Sequence, residues 1–482
     1  MSISSALLAA RSGLDAVGAR ADIVAQNVAN ASTPGYVRRA LTVSETILGT
    51  ETVGVNIVGI TRSEDAQLTA ERRRLGSDLA QSDVLSETWS SLSRRIGDDL
   101  ESSSLFQHIS AFDTALEDAI QSPESTNHAN EVVRTANNLT SEFNALSTLI
   151  QQERQRADSD IAIAVGTLNS SLKQVEELNG RISKVDPSSA QSAALKDERD
   201  RVLDGIAELV PIETFPRQSG TIDVLTTEGV YLLAGTAKEV TFEPASTVGP
   251  NSSLANGNLS GLFVEGTELT PGAGSFGAIS SGAIGAFFTL RDSDLPGLAT
   301  QLDAMAQDLV DRFSGTAIDP TNPVGSPGLF MDPDATAGDG VAGRLELNAL
   351  VDPDRGGAVW RLRDGLGATV QGPPGDNTIL TNLAGALDSV STINVPGLQG
   401  GFTATDMIAQ LGTLAGQQRL QNESTFSSIS LQFDAVQRAE ADRTAVDIET
   451  EMQALLVIEQ AYAANARVIE AASQMINELI EL

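Results

Sequence analysis

Apolar residues near the start of the chain recur at alternating steps of four and three positions. The stripe that they form consists of Ile3, Leu7, Ala10, Leu14, Val17, Ala21, Val24 and Val28. Because an α-helix turns once in about 3.6 residues, this spacing places the apolar side chains along one side of a helix, as in a coiled coil. We therefore predict an N-terminal helix whose apolar stripe needs a partner helix.

The end of the chain predicts a helix with a wider apolar face. Its central residues repeat every seven positions and are Ile448, Leu455, Tyr462, Ile469 and Ile476. Ile458 and Ala472 flank them on one side, and Met452 and Ala466 on the other. This face is too wide for a seam between two helices, which predicts burial against several. The pattern leaves open whether those helices belong to the same chain or to neighbouring subunits.

Between these two helices, segments with helical periodicity alternate with segments rich in glycine and proline. Helical periodicity continues to about residue 210 and includes a long amphipathic run at 128–185. Glycine and proline, which end helices, become frequent in 211–284 and again in 316–401. Short alternating runs such as TIDVLTTEGVYLLAG predict antiparallel strands in the first of these regions, and RLELNAL and AVWRLRD are strand-like in the second.

These patterns predict an α+β multidomain fold, with a long α-helical coiled-coil core formed by both termini and β-rich inserted domains. The predicted segments are an N-terminal helix, turn and extended segment (1–62), a long helical core (63–210), a β-rich insert (211–284), a return to the helical core (285–315), a second turn-rich or β insert (316–401), another helical return (402–430) and the C-terminal helix (431–482).

Composition and charge argue against several kinds of function. The chain has 64 acidic and 31 basic residues and a net charge of −33, which argues against binding nucleic acid or an anionic membrane through bulk charge. The two ends differ in sign, since residues 1–44 carry four arginines and two aspartates while 431–482 carry ten carboxylates and three arginines. We expect the terminal helices to attract each other. Cysteine is absent, which excludes disulfides and thiolate sites.

Candidate chemistry is sparse. His108 and His128 are the only histidines and are too far apart for a histidine pair on one helix turn. The stretch GAGSFG at 272–277 matches a dinucleotide motif only in letters, because no strand precedes it and no helix follows. Asp332, Asp334 and Asp339 lack the spacing of a calcium loop. We predict no catalytic, cofactor-binding or metal-binding residues and no enzymatic activity.

The stretch QNVANASTPGYVRR, residues 26–39, predicts a helix stop followed by a sharp turn. Asn30 suits a helix end, and Pro34 pushes Thr33 out of the helical conformation. Pro34 and Gly35 suit the central positions of a type II turn, after which Tyr36 leads into an extended segment. These features predict a change of chain direction but specify no function by themselves.

Both ends of the chain resemble known signatures. The stripe followed by QNVANASTPGY is similar to the N-terminal signature of the flagellar axial proteins, which comprise the rod, hook and hook-associated proteins, and EMQALLVIEQAYAANARVIEAASQMINELIEL resembles their C-terminal signature. Between the ends, VGVNIVGITRSEDAQLTAERRR and LKDERDRVLDGIAELV are similar to the hook-associated protein 1 family, whose members form the hook-filament junction.

The resemblance implies a structural subunit of the bacterial flagellum that joins hook to filament by helical self-assembly. It implies that the two stripes meet neighbouring subunits. The predicted subunit-interface residues are Ile3, Leu7, Leu14, Val17, Val24, Val28, Ile448, Leu455, Tyr462, Ile469 and Ile476. The predicted helix-stop turn consists of Asn30, Thr33, Pro34, Gly35 and Tyr36.

The partners implied are further copies of the chain, the hook protein, a second junction protein and the filament, with an export chaperone on the C-terminal helix before secretion through the flagellar type III channel. The implied location is the extracellular flagellum, and no cofactor, nucleic acid or membrane partner is expected. Two alternatives remain open: another axial protein of hook or rod type, and an enzyme housed in 211–284 or 316–401 on an axial scaffold.

Overall fold

The computed structural model describes residues 3–48, 51–97, 104–334 and 339–481. The predicted α+β fold is confirmed, since long helices alternate with small antiparallel sheets. The chain opens with helix α1 (Ile3–Asn30) and then forms a hairpin of strands β1 (Arg39–Leu48) and β2 (Glu51–Arg62). Arg39 lies opposite Arg62 at the open end of this hairpin.

A group of long helices follows the hairpin. They are α2 (Ala66–Gly97), α3 (Leu105–Gln121), α4 (Thr126–Ile182) and α5 (Ala190–Leu209). Serine side chains cap the N-termini of three of them: Ser104, Ser125 and Ser189 each accept a hydrogen bond from a backbone N–H in the first turn. The 57-residue helix α4 runs without a break through QQERQRADSD, where the apolar stripe changes phase.

The first insert contains two small antiparallel sheets. One has four strands in sequence order: β3 (Ile212–Pro216), β4 (Ile222–Thr226), β5 (Tyr231–Ala234) and β6 (Thr236–Ala237). The other has three: β7 (Val240–Thr241), β8 (Phe263–Val264) and β9 (Thr267–Glu268). Helix then returns as α6 (Gly282–Thr289), one turn of π-helix (Leu290–Asp294) and α7 (Leu295–Arg312). The predicted boundary at 284/285 therefore falls inside α6.

The second insert is less β-rich than predicted. Its strands are the short pair β10 (Phe330–Met331) and β11 (Glu346–Leu347) and the hairpin β12 (Ser391–Val395) and β13 (Leu398–Phe402), with helices α8 (Arg361–Asp364) and α9 (Thr378–Asp388) and a 3₁₀ turn (Pro353–Arg355) between them. The strand predicted for AVWRLRD is wrong. This stretch forms the turn of α8, in which Gly365 donates a hydrogen bond to the carbonyl of Arg361.

Two helices complete the chain: α10 (Ala404–Thr444) and α11 (Ile448–Glu481). The predicted boundary at 430/431 is wrong, because α10 continues through it to Thr444. The helices separate where Ala445 is extended and Asp447 accepts a hydrogen bond from the backbone of Glu449. A short polar residue can signal such a break when it caps a new helix, but the serines around residue 430 lie inside the continuous helix α10.

Buried apolar side chains form two large clusters and one small one. The first joins α2, α3, α7, the first half of α4 and the start of α10 to the second insert, including α9. The second joins the following part of α4 to α5, α6 and the strands of the first insert. The third lies between the end of α4 and α5. Helix α4 contributes side chains to all three clusters. It therefore connects the helices α2 to α10 and both inserts into one body.

Candidate assembly interface

Helices α1 and α11 pack on each other in opposite directions. Arg38, just beyond the end of α1, pairs with Glu451 at the start of α11. Further along, Gly13 lies so close to Asn465 that an added Cβ would meet its amide at 3.0 Å. The residues of α11 that face α1 are spaced by seven: Glu451, Ile458, Asn465 and Ala472. The expected pairing of the two ends is therefore present within one chain.

The predicted stripe of α11 lies beside this seam and remains open to solvent. The exposed fraction is 52% for Ile448, 38% for Leu455, 55% for Tyr462 and 37% for Ile476, whereas Ile469 is half-buried. Other apolar side chains on this helix are also exposed, namely Met452, Leu456, Val457, Val468, Met475 and Ile480. The contact with α1 thus uses only a narrow part of a wide apolar face.

The predicted stripe of α1 is better covered. Val24 is buried, and the other predicted interface residues on α1 are half-buried: Ile3, Leu7, Leu14, Val17 and Val28. The hairpin covers a second side of this helix, where the backbone N–H of Val55 donates to the Ser12 hydroxyl at 3.1 Å. Helix α1 is held between α11 and the hairpin.

The predicted helix-stop residues form a closed turn. The backbone N–H of Thr33 bonds to the carbonyl of Asn30 at 2.9 Å, and that of Tyr36 bonds to the carbonyl of Thr33 at 3.2 Å. Gly35 has φ +76°, the left-handed conformation that glycine adopts easily and that this turn requires. Thr33, Pro34 and Gly35 are exposed, while Asn30 and Tyr36 are half-buried.

Asn27 holds this turn, although it is absent from the predicted site. Its side chain is fully buried, its amide donates to the carbonyl of Arg39 at 2.9 Å, and its oxygen accepts from the Arg39 N–H at 3.1 Å and the Tyr36 hydroxyl at 3.0 Å. Burial raises the pKa of the Tyr36 phenol, although the nearby Arg39 opposes that shift. The position of Asn27 next to Val28 of the apolar stripe, on the side of α1 where Ile23 and Val24 are buried, is the signal that could have revealed this role.

Replacing Asn27 by alanine is expected to destabilise the terminal helices by about 1–3 kcal/mol, because the backbone groups of Arg39 would stay buried without partners. Thermal unfolding followed by circular dichroism measures the effect. Asn30→Ala is the matched control, since the Asn30 side chain is only half-buried and its bonds to the carbonyl of Gln26 and the hydroxyl of Thr33 are exposed to solvent. Equal melting temperatures for the two variants would contradict the role given to Asn27.

A cluster of ion pairs connects this region to the helical body. Asp197 on α5 pairs with Arg39 at 2.9 Å and with Arg62 at 2.8 Å. Burial raises the pKa of Asp197 against the opposing effect of the two arginines. For Asp200, burial would also raise the pKa, but Arg62 and Arg73 outweigh it and the pKa falls below its ordinary range.

The basic run on α2 is paired within the chain and is not free for a neighbouring subunit. Arg72 contacts Asp204 and Glu440, and the buried Arg73 contacts Asp200 and Asp204. Among the described residues there is no group of acidic or histidine side chains that could hold a metal ion, and no helix in that part of the chain is both long and apolar enough to cross a membrane.

The chain is similar to flagellar proteins along most of its length. Residues 91–317 match the model of the flagellar hook-associated protein FlgK helical domain, residues 7–36 match that of the flagella basal body rod protein, and residues 443–482 match that of the flagellar basal body rod FlgEFG protein C-terminal. The last two matches coincide with α1 plus its turn and with α11.

Individual relatives carry the same description. Flagellar hook-associated protein 1 of Bacillus subtilis is 22% identical over 505 aligned positions, which cover 98% of this chain and 96% of that protein. Its counterpart in Salmonella typhimurium is 24% identical over 320 residues, 65% of this chain, and the match spans only about half (56%) of that relative. The flagellar hook junction protein FlgK of Burkholderia pseudomallei aligns over 54% of this chain and 46% of its own, at 18% identity and a TM-score of 0.44.

Proposed function

We propose that this chain belongs to the flagellar hook-associated protein 1 family and is a structural subunit that joins hook to filament in the bacterial flagellum. The observation that carries the proposal is the exposed apolar stripe of α11. A single chain leaves Ile448, Leu455 and Tyr462 open on a 34-residue helix, and exposed apolar surface of this extent marks a contact site for protein.

Assembly in this proposal uses two different surfaces of each subunit. Such heterologous contacts generate a ring or an open helical array. The terminal helices α1 and α11 of adjacent copies form the inner tube, where the stripe of one copy is covered by the next. The inserts at 211–284 and 316–401 face solvent. The proposed function is mechanical and depends on the contacts between subunits, not on a catalytic site.

The proposed partners are further copies of the chain, the hook protein, a second junction protein and the filament. Before secretion, an export chaperone covers α11, whose exposed apolar side chains would otherwise meet other proteins in the cell. The chain then leaves the cell through the flagellar type III channel and works outside it. Because it contains no cysteine, its folding after export needs no disulfide chemistry.

A deletion strain tests the proposal. Electron microscopy is expected to show hooks of normal length without filaments, and flagellin is expected to accumulate in the culture medium. Complementation with the wild-type chain should restore the filaments. Normal filaments in the deletion strain would overturn the proposal, and hooks of altered length would favour a hook-type protein instead.

A further inference from the structure

The sequence contains two asparagine–glycine pairs, and the structure places them in very different surroundings. Asn179 and Gly180 lie inside helix α4, whereas Asn256 and Gly257 lie in the loop that connects β7 to β8 in the first insert. An asparagine followed by glycine readily loses its side-chain amide, because glycine has no Cβ to obstruct the attack of its backbone nitrogen on the asparagine side chain. The fold therefore decides which of the two pairs reacts.

The pair at Asn256 is open to solvent and held by exposed bonds. Asn256 and Gly257 are both exposed, and a Cβ added to Gly257 would meet no atom within 4 Å. The Asn256 amide donates to the carbonyl of Asn251 at 2.9 Å, and the Gly257 N–H donates to the carbonyl of Leu254 at 3.1 Å. Hydrogen bonds at an exposed loop tip open at low cost in free energy, which frees both reacting groups.

The pair at Asn179 is locked in place by the fold. The Asn179 side chain is 5% exposed, and its amide donates to the carbonyl of Ile222 at 2.9 Å. Its oxygen accepts from the Ile222 N–H at 3.3 Å and from Arg199 Nη1 at 3.0 Å. Helix α4 continues past Gly180 to Ile182, so the Gly180 nitrogen also lies within regular helix. A reaction at Asn179 would require the end of α4 to separate from β4.

We propose that Asn256 is a site of spontaneous deamidation in the folded chain. The Gly257 nitrogen loses its proton to hydroxide and bonds to the side-chain carbon Cγ of Asn256, while the bond from Cγ to Nδ2 breaks and the nitrogen leaves as ammonia. Water then opens the succinimide ring at either carbonyl and produces aspartate or isoaspartate. The net reaction consumes water, releases ammonia and needs no enzyme, oxidant or cofactor. It adds a negative charge to the surface of the first insert.

The rest of the loop is held independently of Asn256. Its inner side is anchored to α4, where Arg154 donates to the carbonyls of Gly249 and Ser252. These bonds do not involve the reacting residues, so we expect the modification to alter the loop tip and to leave the fold intact. The inference concerns the reactivity of the chain itself and does not rest on the proposed function.

Mass spectrometry of the full chain after incubation at mildly alkaline pH measures the reaction at both pairs. In the folded chain, Asn256 should convert to aspartate and isoaspartate at least about tenfold faster than Asn179. A tenfold difference corresponds to about 1.4 kcal/mol, and removing a buried amide from several hydrogen bonds costs at least that much. In denaturant, Asn179 should react as readily as Asn256. Equal rates in the folded chain overturn the proposal, as does an Asn256 that reacts only in denaturant.

Asn256→Gln identifies the reacting residue. Glutamine keeps the amide, but its longer side chain would have to close a less favourable six-membered ring. The more acidic species that isoelectric focusing detects in the aged wild type should therefore form at least about tenfold more slowly in this variant. Asn258→Gln is the matched control, because Asn258 is also exposed in the same loop but precedes leucine, and it should age like the wild type. Ageing of Asn256→Gln at the wild-type rate would overturn the proposal.

Discussion

Cells that carry Leu455→Asp together with Tyr462→Asp as their only copy of this chain are expected to form hooks but no filaments. The purified double variant should nevertheless fold like the wild type, with the same thermal unfolding temperature within error. Both side chains are exposed in the single chain, and substitutions at such positions usually change stability by less than about 0.5 kcal/mol. Electron microscopy of the cells and circular dichroism of the purified protein measure the two halves of this prediction.

The size of the effect follows from what assembly would bury. A leucine-sized side chain contributes about 1.5–3 kcal/mol when it is fully buried. Aspartate removes that contribution and brings a charge whose burial without a partner costs several kcal/mol more. Since each 1.4 kcal/mol is a factor of ten in an association constant, about two such positions per contact are enough to prevent a stable junction.

The side of the same helix that faces away from α1 provides the control. Gln453 and Gln460 are exposed, are spaced by seven residues like Leu455 and Tyr462, and lie outside both the seam with α1 and the predicted stripe. The double variant Gln453→Asp with Gln460→Asp adds the same charge and should support normal filaments. Both variants must reach the culture medium in wild-type amounts, which shows that export is intact. Normal filament numbers with the stripe variant would remove the basis for the proposed interface.

The sequence predicted the ends of the fold well, because their signals are local and repeated. Four heptads of alternating spacing specify α1, and the long amphipathic run specifies α4. The apolar face on α11 is wide, as the sequence indicated, and α1 covers only part of it, whereas burial of the rest against further helices stays a prediction. Within the chain, α1 contacts the edge of this face that contains Ile458 and Ala472, and the central residues predicted for subunit contacts lie beside it. A seven-residue repeat gives the face of a helix but does not say which edge of a wide face a given partner occupies.

The second insert was harder to predict, because turn residues obscured its helices. In α9, the buried residues Ile379, Leu380, Leu383 and Leu387 have helical spacing, but the segment is short and lies within a stretch rich in glycine and proline. In α8, alternating apolar residues suggested a strand. There the backbone N–H of Ala358 donates to the carbonyl of Leu350, and this bond closes a loop instead of pairing the segment with a strand.

The polar contacts of the interior could not be predicted from the pattern at all. Asp197 and Glu451 look like surface residues of acidic helices, yet each meets an arginine that is distant in sequence. The polar stretch in the middle of α4 also looks like part of the protein surface. It contains Arg154 and Asp158, both of which are almost completely buried. Charged residues are buried only with partners, and one sequence does not show which partners the fold brings together.

Replacing Arg291 by methionine is expected to produce the largest loss of stability, about 3–5 kcal/mol, because it leaves buried carboxylates without their counter-charge. The Arg291 guanidinium is fully buried, pairs with Asp158 at 2.7 Å and with Asp292 at 2.8 Å, and donates to the carbonyl of Ser260 at 3.0 Å. It also lies over the ring of Phe288, 4.7 Å from its centre. Arg291 thereby joins the π-helix to α4 and to the loop of the first insert.

Denaturant unfolding followed by tryptophan fluorescence measures this loss. The indole of Trp89 donates to Asp294 in the same π-helix and therefore reports on the site. Arg156→Met is the control, since the Arg156 side chain is 71% exposed and its contacts with Glu153 and Asp160 are 3.8 Å or longer. It should change stability by less than about 0.5 kcal/mol.

A second substitution separates the loss of an attraction from the cost of an unpaired charge. Asp158→Asn in the Arg291→Met background removes the stranded carboxylate but keeps an oxygen that can accept from the N–H of Ala245, as Asp158 does at 2.7 Å. If desolvation of the unpaired charge is the main cost, the double variant should be more stable than Arg291→Met alone. If the two losses simply add, the destabilisation instead comes from the lost contacts of Arg291 with Ser260 and Phe288, and the carboxylate of Asp158 contributes little.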